Sequence, residues 1–157
     1  QVGRHLLRGG HFPETVKKAL KVELSQEKMA GGLRVVITLT NIGAGHYLPT
    51  GTPDRYLSLT LTTLDGQGRE LDKTEHKFKR YIMWRPFIID LWDSRLPPDK
   101  PRTIEHEIKM ERDNPAVTLK VQVDYHLLDE ARRRRIGYQP QEPIHYPIYQ
   151  RSIPLTP

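Results

Sequence analysis

Between residues 33 and 41 every second side chain is apolar: Leu33, Val35, Ile37 and Leu39 alternate with Arg34, Thr38 and Thr40, and Val36 is the one exception. Strand side chains point to opposite faces in turn, so a period of two buries one row and wets the other. This run predicts a strand with one face in a core. The period recurs in Leu20, Val22 and Leu24, in Leu57, Leu59 and Leu61, in Ile104, His106, Ile108 and Met110, and in Val117, Leu119, Val121, Val123 and Tyr125. The 13 prolines and 11 glycines interrupt the chain too often for long helices. Residues 26–32 end in Gly31-Gly32 as a hairpin loop does, and Asp65-Gly66-Gln67-Gly68 is a second turn signal, so sequential runs should pair antiparallel.

Six or seven such strands predict an all-β fold, an immunoglobulin-like antiparallel β-sandwich with an irregular N-terminal segment and an extended, Pro-rich C-terminal tail. The expected division is residues 1–18 as the irregular segment contacting a partner, 19–137 as the sandwich and 138–157 as the tail. Tyr138, Tyr146 and Tyr149 would pin that tail, and residues 144–153 could add an edge strand. Residues 70–83 read as one or two strands. Residues 85–102 contain Pro86, Pro97, Pro98 and Pro101 and read as a long loop with an apolar stretch at 87–92. The aromatics Trp84, Phe87 and Trp92 there suit either a small interface or a satellite core beneath the loop.

Composition narrows the function classes. At 157 residues the chain is about one domain. It has no cysteine, which removes disulfides, thiolate metal sites, nucleophilic thiols and the covalent C-x-x-C-H attachment of haem. No apolar run approaches the roughly 18 residues of a membrane span. A net charge of +6 favours acidic partners but falls short of a nucleic-acid signature. No G-x-S-x-G elbow, no H-E-x-x-H and no paired carboxylates appear, so the chain is not expected to be an enzyme.

The most unusual local sequence is Asn41-Ile42-Gly43-Ala44-Gly45-His46-Tyr47-Leu48-Pro49-Thr50-Gly51-Thr52-Pro53. It leaves a strand, turns on two glycines, presents a histidine and turns again at Pro-Thr-Gly. His46 is thus a loop residue between two turns, suited either to aiming an imidazole at a metal or cofactor or to capping the turn, with the glycines supplying positive φ. Asp54 and Arg55 follow, as a salt bridge locking the loop or as a site for a carboxylate. The run Arg132–Arg135 reads as a solvated turn of helix or a basic patch.

The N-x-G-A-G-H-x-x-P-T-G-x-P-x-R pattern of residues 41–55 resembles the β-rich domain that follows the haem-binding region in multihaem c-type cytochromes, many of them exported electron carriers. Gly9-Gly10-His11 with residues 16–24 is similar to the segment joining haem region to sandwich there, and Asp93-Ser94-Arg95-Leu96-Pro97-Pro98 to its D-x-R-x-P-P loop. The resemblance covers roughly residues 8–110. The family's haem-attaching motifs are missing, so it implies an accessory domain or subunit whose haem c is carried by a partner chain or region.

On that resemblance the chain is a non-catalytic part of a periplasmic or extracellular electron-transfer assembly, a hetero-complex or filament. His5, His11 and His46 become candidates for an axial ligand to a partner's haem, and Arg4, Arg8 and Arg55 for its propionates. Two other readings stay open. One is a carbohydrate-binding or adhesion sandwich using Trp84, Trp92 and the tail tyrosines; the other is a small copper or zinc protein using His5, His11 and His46. His106 falls on an apolar face and reads as a core histidine satisfied by a neighbour. His76 and His126 fall on polar faces, and His145 lies in the tail.

Overall fold

The structure is a computed structural model that describes residues 9–83, 85–110, 116–139 and 141–156. Its elements in chain order are α1 (Pro13–Ala19), β1 (Leu20–Met29), β2 (Gly32–Asn41), β3 (Tyr56–Leu64), β4 (Glu70–Phe78), β5 (Arg80–Met83), β6 (Ile89–Asp93), β7 (Arg102–Lys109), β8 (Thr118–His126), α2 (Glu130–Arg135) and β9 (His145–Pro154). They form a sandwich of two antiparallel sheets, β1-β2-β7 and β4-β3-β8-β9, with β5 and β6 standing apart as a two-stranded ribbon.

The period-two rows become the core. Leu33, Val35, Ile37 and Leu39 of β2 meet Leu57, Leu59 and Leu61 of β3 and Leu119, Val121 and Val123 of β8 in one cluster. Burial of those rows drives the two sheets together, at about 25 cal/mol for each Å² of apolar surface removed from water. The β1–β2 hairpin is tighter than the sequence suggests: Met29 pairs with Gly32, and Gly31 takes a positive φ of 82° that an L side chain resists.

Three expectations change. Residues 138–157 are not a separate tail, because the edge strand offered for 144–153 is present as β9, the fourth strand of the second sheet, paired along β8 from His126↔His145 to Thr118↔Pro154. Its edge position tolerates Pro147 and Pro154, whose missing N–H groups cost no ladder bond on the open side. The N-terminal segment is not irregular throughout, since α1 begins with Pro13 and buries Val16 and Ala19. Residues 85–102 are not loop throughout either, for β6 lies within them and pairs with β5.

Residues 130–135 form α2, N-capped by Asp129, whose carboxylate accepts from the Ala131 and Arg132 N–H groups. Glu130 pairs with Arg133 and Arg134, and the helix buries no residue, as a solvated helix should. No described helix is long and apolar enough to cross a membrane.

Candidate functional site

The loop that leaves β2 is organised by the side chain of Asn41, which is 1% exposed. Its Oδ1 accepts from the Ala44 N–H at 3.0 Å, and its Nδ2 donates to the His46 carbonyl at 2.7 Å and to the Leu96 carbonyl at 3.4 Å. One buried amide therefore satisfies backbone groups on two loops, which is what a polar group inside a core requires. Leu48 and Leu96 form an antiparallel bridge, and Asn41 and Pro98 a parallel one. The glycine-histidine loop and the Asp93–Pro98 segment, far apart in sequence, are thus a single unit.

Gly43 is needed for space and not for positive φ: a Cβ there would lie 2.7 Å from Ala19 Cα. Gly45 meets nothing within 4 Å. Only Gly51 of this loop takes a positive φ, 98°, and its open face receives the Arg55 guanidinium.

His46 is exposed, and its Nδ1 lies 3.1 Å from the Tyr47 carbonyl. A carbonyl only accepts, so this contact places the proton on Nδ1 and leaves the lone pair on Nε2. That tautomer, with the second nitrogen oriented by a backbone carbonyl, is the one in which imidazole serves as a metal ligand. Beside it Arg95 lies over the Tyr47 ring, 5.0 Å from its centroid, and pairs with Asp93 through Nη2–Oδ2 and Nε–Oδ1 contacts of 2.7 and 2.9 Å. Hydrogen bonding from Arg95 holds the Asp93 carboxyl below the usual carboxylate range. Ser94 links this corner to the ribbon, accepting from the Lys79 N–H at 3.0 Å.

A second set of contacts fastens the N-terminal segment to the sandwich. Tyr125 and Tyr146 stack with centroids 5.5 Å apart, Tyr146 donates its hydroxyl proton to the Gly10 carbonyl, and a Cβ on Gly10 would collide with the Tyr125 hydroxyl. Burial raises both phenols above their ordinary pKa. Arg55 makes no salt bridge with Asp54. Its Nη1 donates to the Thr50 carbonyl and its Nη2 to His11 Nε2, each at 3.4 Å. His11 therefore spends its Nε2 lone pair on a guanidinium, and its remaining nitrogen is Nδ1.

Of the six candidate residues, Arg4, His5 and Arg8 lie outside the described residues. His11 and Arg55 are brought together, whereas His46 is held by a separate set of contacts. Among the described residues no group of three or more His, Cys, Asp or Glu side chains could hold a metal ion. Trp84 also lies outside the described residues. Phe87 and Trp92 are 72% and 66% exposed, which removes the satellite-core reading for these two.

Two histidine clusters have no counterpart in the sequence reading. His126, placed by its spacing on a polar face, stacks on Tyr56 at 4.0 Å and on His145 at 5.3 Å, with Nε2 2.8 Å from Ser58 Oγ. Burial and the neighbouring His145 push its pKa down to about 4. The β8–β9 register makes these histidines neighbours, and only the tail's identity as a strand could have revealed it. His106 is 9% exposed, as expected of a core histidine, yet its Nε2 has no hydrogen-bond partner among the described residues. It opens with Thr63 and Asp72 on a cleft of about 400 Å³ between β4 and β7, and the Asp72 carboxylate is 3.9 Å away.

The architecture has a counterpart among solved structures. This fold resembles part of a penta-heme cytochrome. The structure of the penta-heme cytochrome c552 from Thermochromatium tepidum superposes with a TM-score of 0.81 over 96% of this chain, at 22% sequence identity. The match covers 43% of that cytochrome, so this chain spans less than half its length. At that identity the likeness is one of fold. No family model and no curated protein sequence matches the chain.

Proposed function

We propose that the chain is a non-catalytic sandwich module of a multihaem c-type electron-transfer assembly, periplasmic or extracellular, that packs against a haem-bearing chain or region and offers His46 as an axial ligand. The observation that carries this reading is the state of His46: an exposed imidazole whose Nδ1 is committed to the Tyr47 carbonyl, leaving Nε2 as the donor atom. The structural likeness to a penta-heme cytochrome supports it, and so does the absence of cysteine, which puts any haem c on another polypeptide region. A haem with two histidine ligands is low-spin and passes single electrons; the loop's part is to hold the imidazole in one tautomer and one place.

Among the described residues, the Ser58–His126 contact comes nearest a nucleophile–base pair. Ser58 is 2% exposed, so its hydrogen bond with His126 joins β3 to β8 inside the fold and does not face a substrate.

The test uses a proteolytic haem c peptide, which carries its own proximal histidine and an open sixth position. Titrated with the full chain, it should convert from a high-spin to a low-spin spectrum. His46→Ala should abolish the conversion and His145→Ala, an exposed histidine elsewhere, should leave it intact. Equal loss in both variants, or no conversion with the native chain, refutes the axial-ligand role.

A further inference from the structure

The β5–β6 ribbon belongs to neither sheet of the sandwich, and a two-stranded ribbon alone in water is marginal. Its register sorts the side chains. Tyr81 pairs with Trp92 and Met83 with Ile89, and a shift between Tyr81 and Ile82 leaves Leu91 as the extra residue. Tyr81, Trp92, Met83 and Ile89 share one face by the period of two; Arg80, Ile82, Asp90 and Asp93 share the other, where Arg80 Nη2 lies 2.8 Å from both Asp90 carboxylate oxygens. One face thus carries an ion pair beside Ile82, and the opposite face is apolar.

That apolar face is bare. Trp92 is 66% exposed and Ile89 44%, the bulged Leu91 next to Trp92 in sequence is 63% exposed, and at the tip Phe87 and Ile88 are 72% and 71% exposed. Large apolar side chains exposed together on one short ribbon mark a place where something docks. Cations border it: Lys79 Nζ lies 5.0 Å from the Tyr81 ring centroid, and Arg85 precedes the tip. The ribbon also continues directly into the His46 corner, through Ser94, which bonds Lys79, and Arg95, which covers Tyr47.

We infer that this ribbon face is the docking surface for a polypeptide carrying a solvent-exposed haem edge, with Tyr81 and Trp92 against the macrocycle rim and Lys79 and Arg85 toward its propionates. This rests on the functional reading above and assigns its contact surface. A haem edge presents a flat apolar ring and two carboxylates side by side, and the ribbon presents the complement, exposed aromatic side chains on paired positions bordered by cations. Continuity with the His46 loop puts the apolar cover and the ligating imidazole on one connected stretch of surface.

The haem c peptide distinguishes the two claims, because affinity and spin state are separate readouts. The double variant Tyr81→Ser/Trp92→Ser should weaken binding at least tenfold, and Lys79→Ala with Arg85→Ala should weaken it severalfold and flatten its salt dependence. The ribbon lies outside the core, so the sandwich's unfolding midpoint serves as the folding control. His46→Ala should remove the low-spin conversion while ribbon-dependent binding persists; if the native chain binds through the ribbon without conversion, the axial-ligand reading falls and the ribbon assignment stands. Unchanged affinity in the double variant overturns the assignment. So does a native dimer in sedimentation that the double variant dissociates, which would make a second copy the occupant, or ribbon-dependent binding to phosphatidylglycerol vesicles in place of the haem peptide.

Discussion

Leu48 and Leu96 exchange backbone hydrogen bonds, the Leu48 N–H donating to the Leu96 carbonyl at 2.8 Å and the Leu96 N–H donating back at 2.9 Å. Both side chains are buried in the core cluster. This pair, with the Asn41 amide and the Asn41–Pro98 bridge, fixes the glycine-histidine loop to the loop that closes the ribbon, so a perturbation in either should be felt at His46.

Asn41 is the polar centre of that junction. Asn41→Ala removes three hydrogen bonds; the Leu96 carbonyl keeps the Leu48 N–H, but the part-buried Ala44 N–H and His46 carbonyl lose their partner, each at about 1–3 kcal/mol when left unpaired. A loss of about 2–4 kcal/mol in denaturant unfolding is expected. The low-spin conversion of the haem peptide should weaken with it, because the His46 carbonyl loses its anchor.

The two glycines of the motif should behave differently although they look alike in sequence. Gly43→Ala drives a Cβ into the Ala19 backbone and should cost about 1–3 kcal/mol. Gly45→Ala meets open space without a positive φ and should stay within about 0.5 kcal/mol of the native chain. Paired thermal melts decide it, and equal effects would contradict the packing described for α1 against this loop.

Acid should weaken the fold through His126. Its folded pKa, about 4, lies below the ordinary value of 6.5, so between these two pH values the unfolded chain binds a proton that the folded chain refuses. The neutral histidine's contribution is complete above pH 6.5 and is lost as the pH falls toward 4. His106, lowered by burial, adds in the same direction. His126→Phe, which keeps the stack on Tyr56, should flatten the slope of stability against pH over this range, with a change on the order of 1–3 kcal/mol.

The N-terminal clasp is testable without any partner. Gly10→Val should collide with the Tyr125 hydroxyl and detach the segment before α1, seen as faster proteolysis and amide exchange at residues 9–12. Tyr146→Phe removes only the hydrogen bond to the Gly10 carbonyl and should cost about 1 kcal/mol while the stack on Tyr125 remains.

Much of the architecture was legible because a strand's chemistry is local: the rows Leu33–Leu39 and Leu57–Leu61 announce their buried face by spacing alone, and the turns at Gly31 and Asp65 announce the reversals. The His46 loop was legible as a motif for the same reason. Its mechanics were not, since Asn41 reads as the polar end of a strand and only its contacts to residues 44, 46 and 96 show what it holds. β9 was legible only as an alternative, an edge strand at 144–153 beside a Pro-rich tail, because an edge position tolerates its prolines, and β6 was hidden by the prolines around it; whether a strand lies at an edge is a property of the sheet and not of the segment.

Sequence by itself determined which faces are apolar, that haem c cannot be attached to this chain, and where the chain turns. Tertiary structure alone decided that residues 48 and 96 are neighbours, that His126 is half-buried between Tyr56 and His145, that His11 is tied to Arg55, and that an apolar face of the ribbon is left uncovered. The division is physical: alternation and turn preference act between adjacent residues, whereas desolvation, hydrogen-bond satisfaction and exposure depend on what the rest of the chain brings alongside.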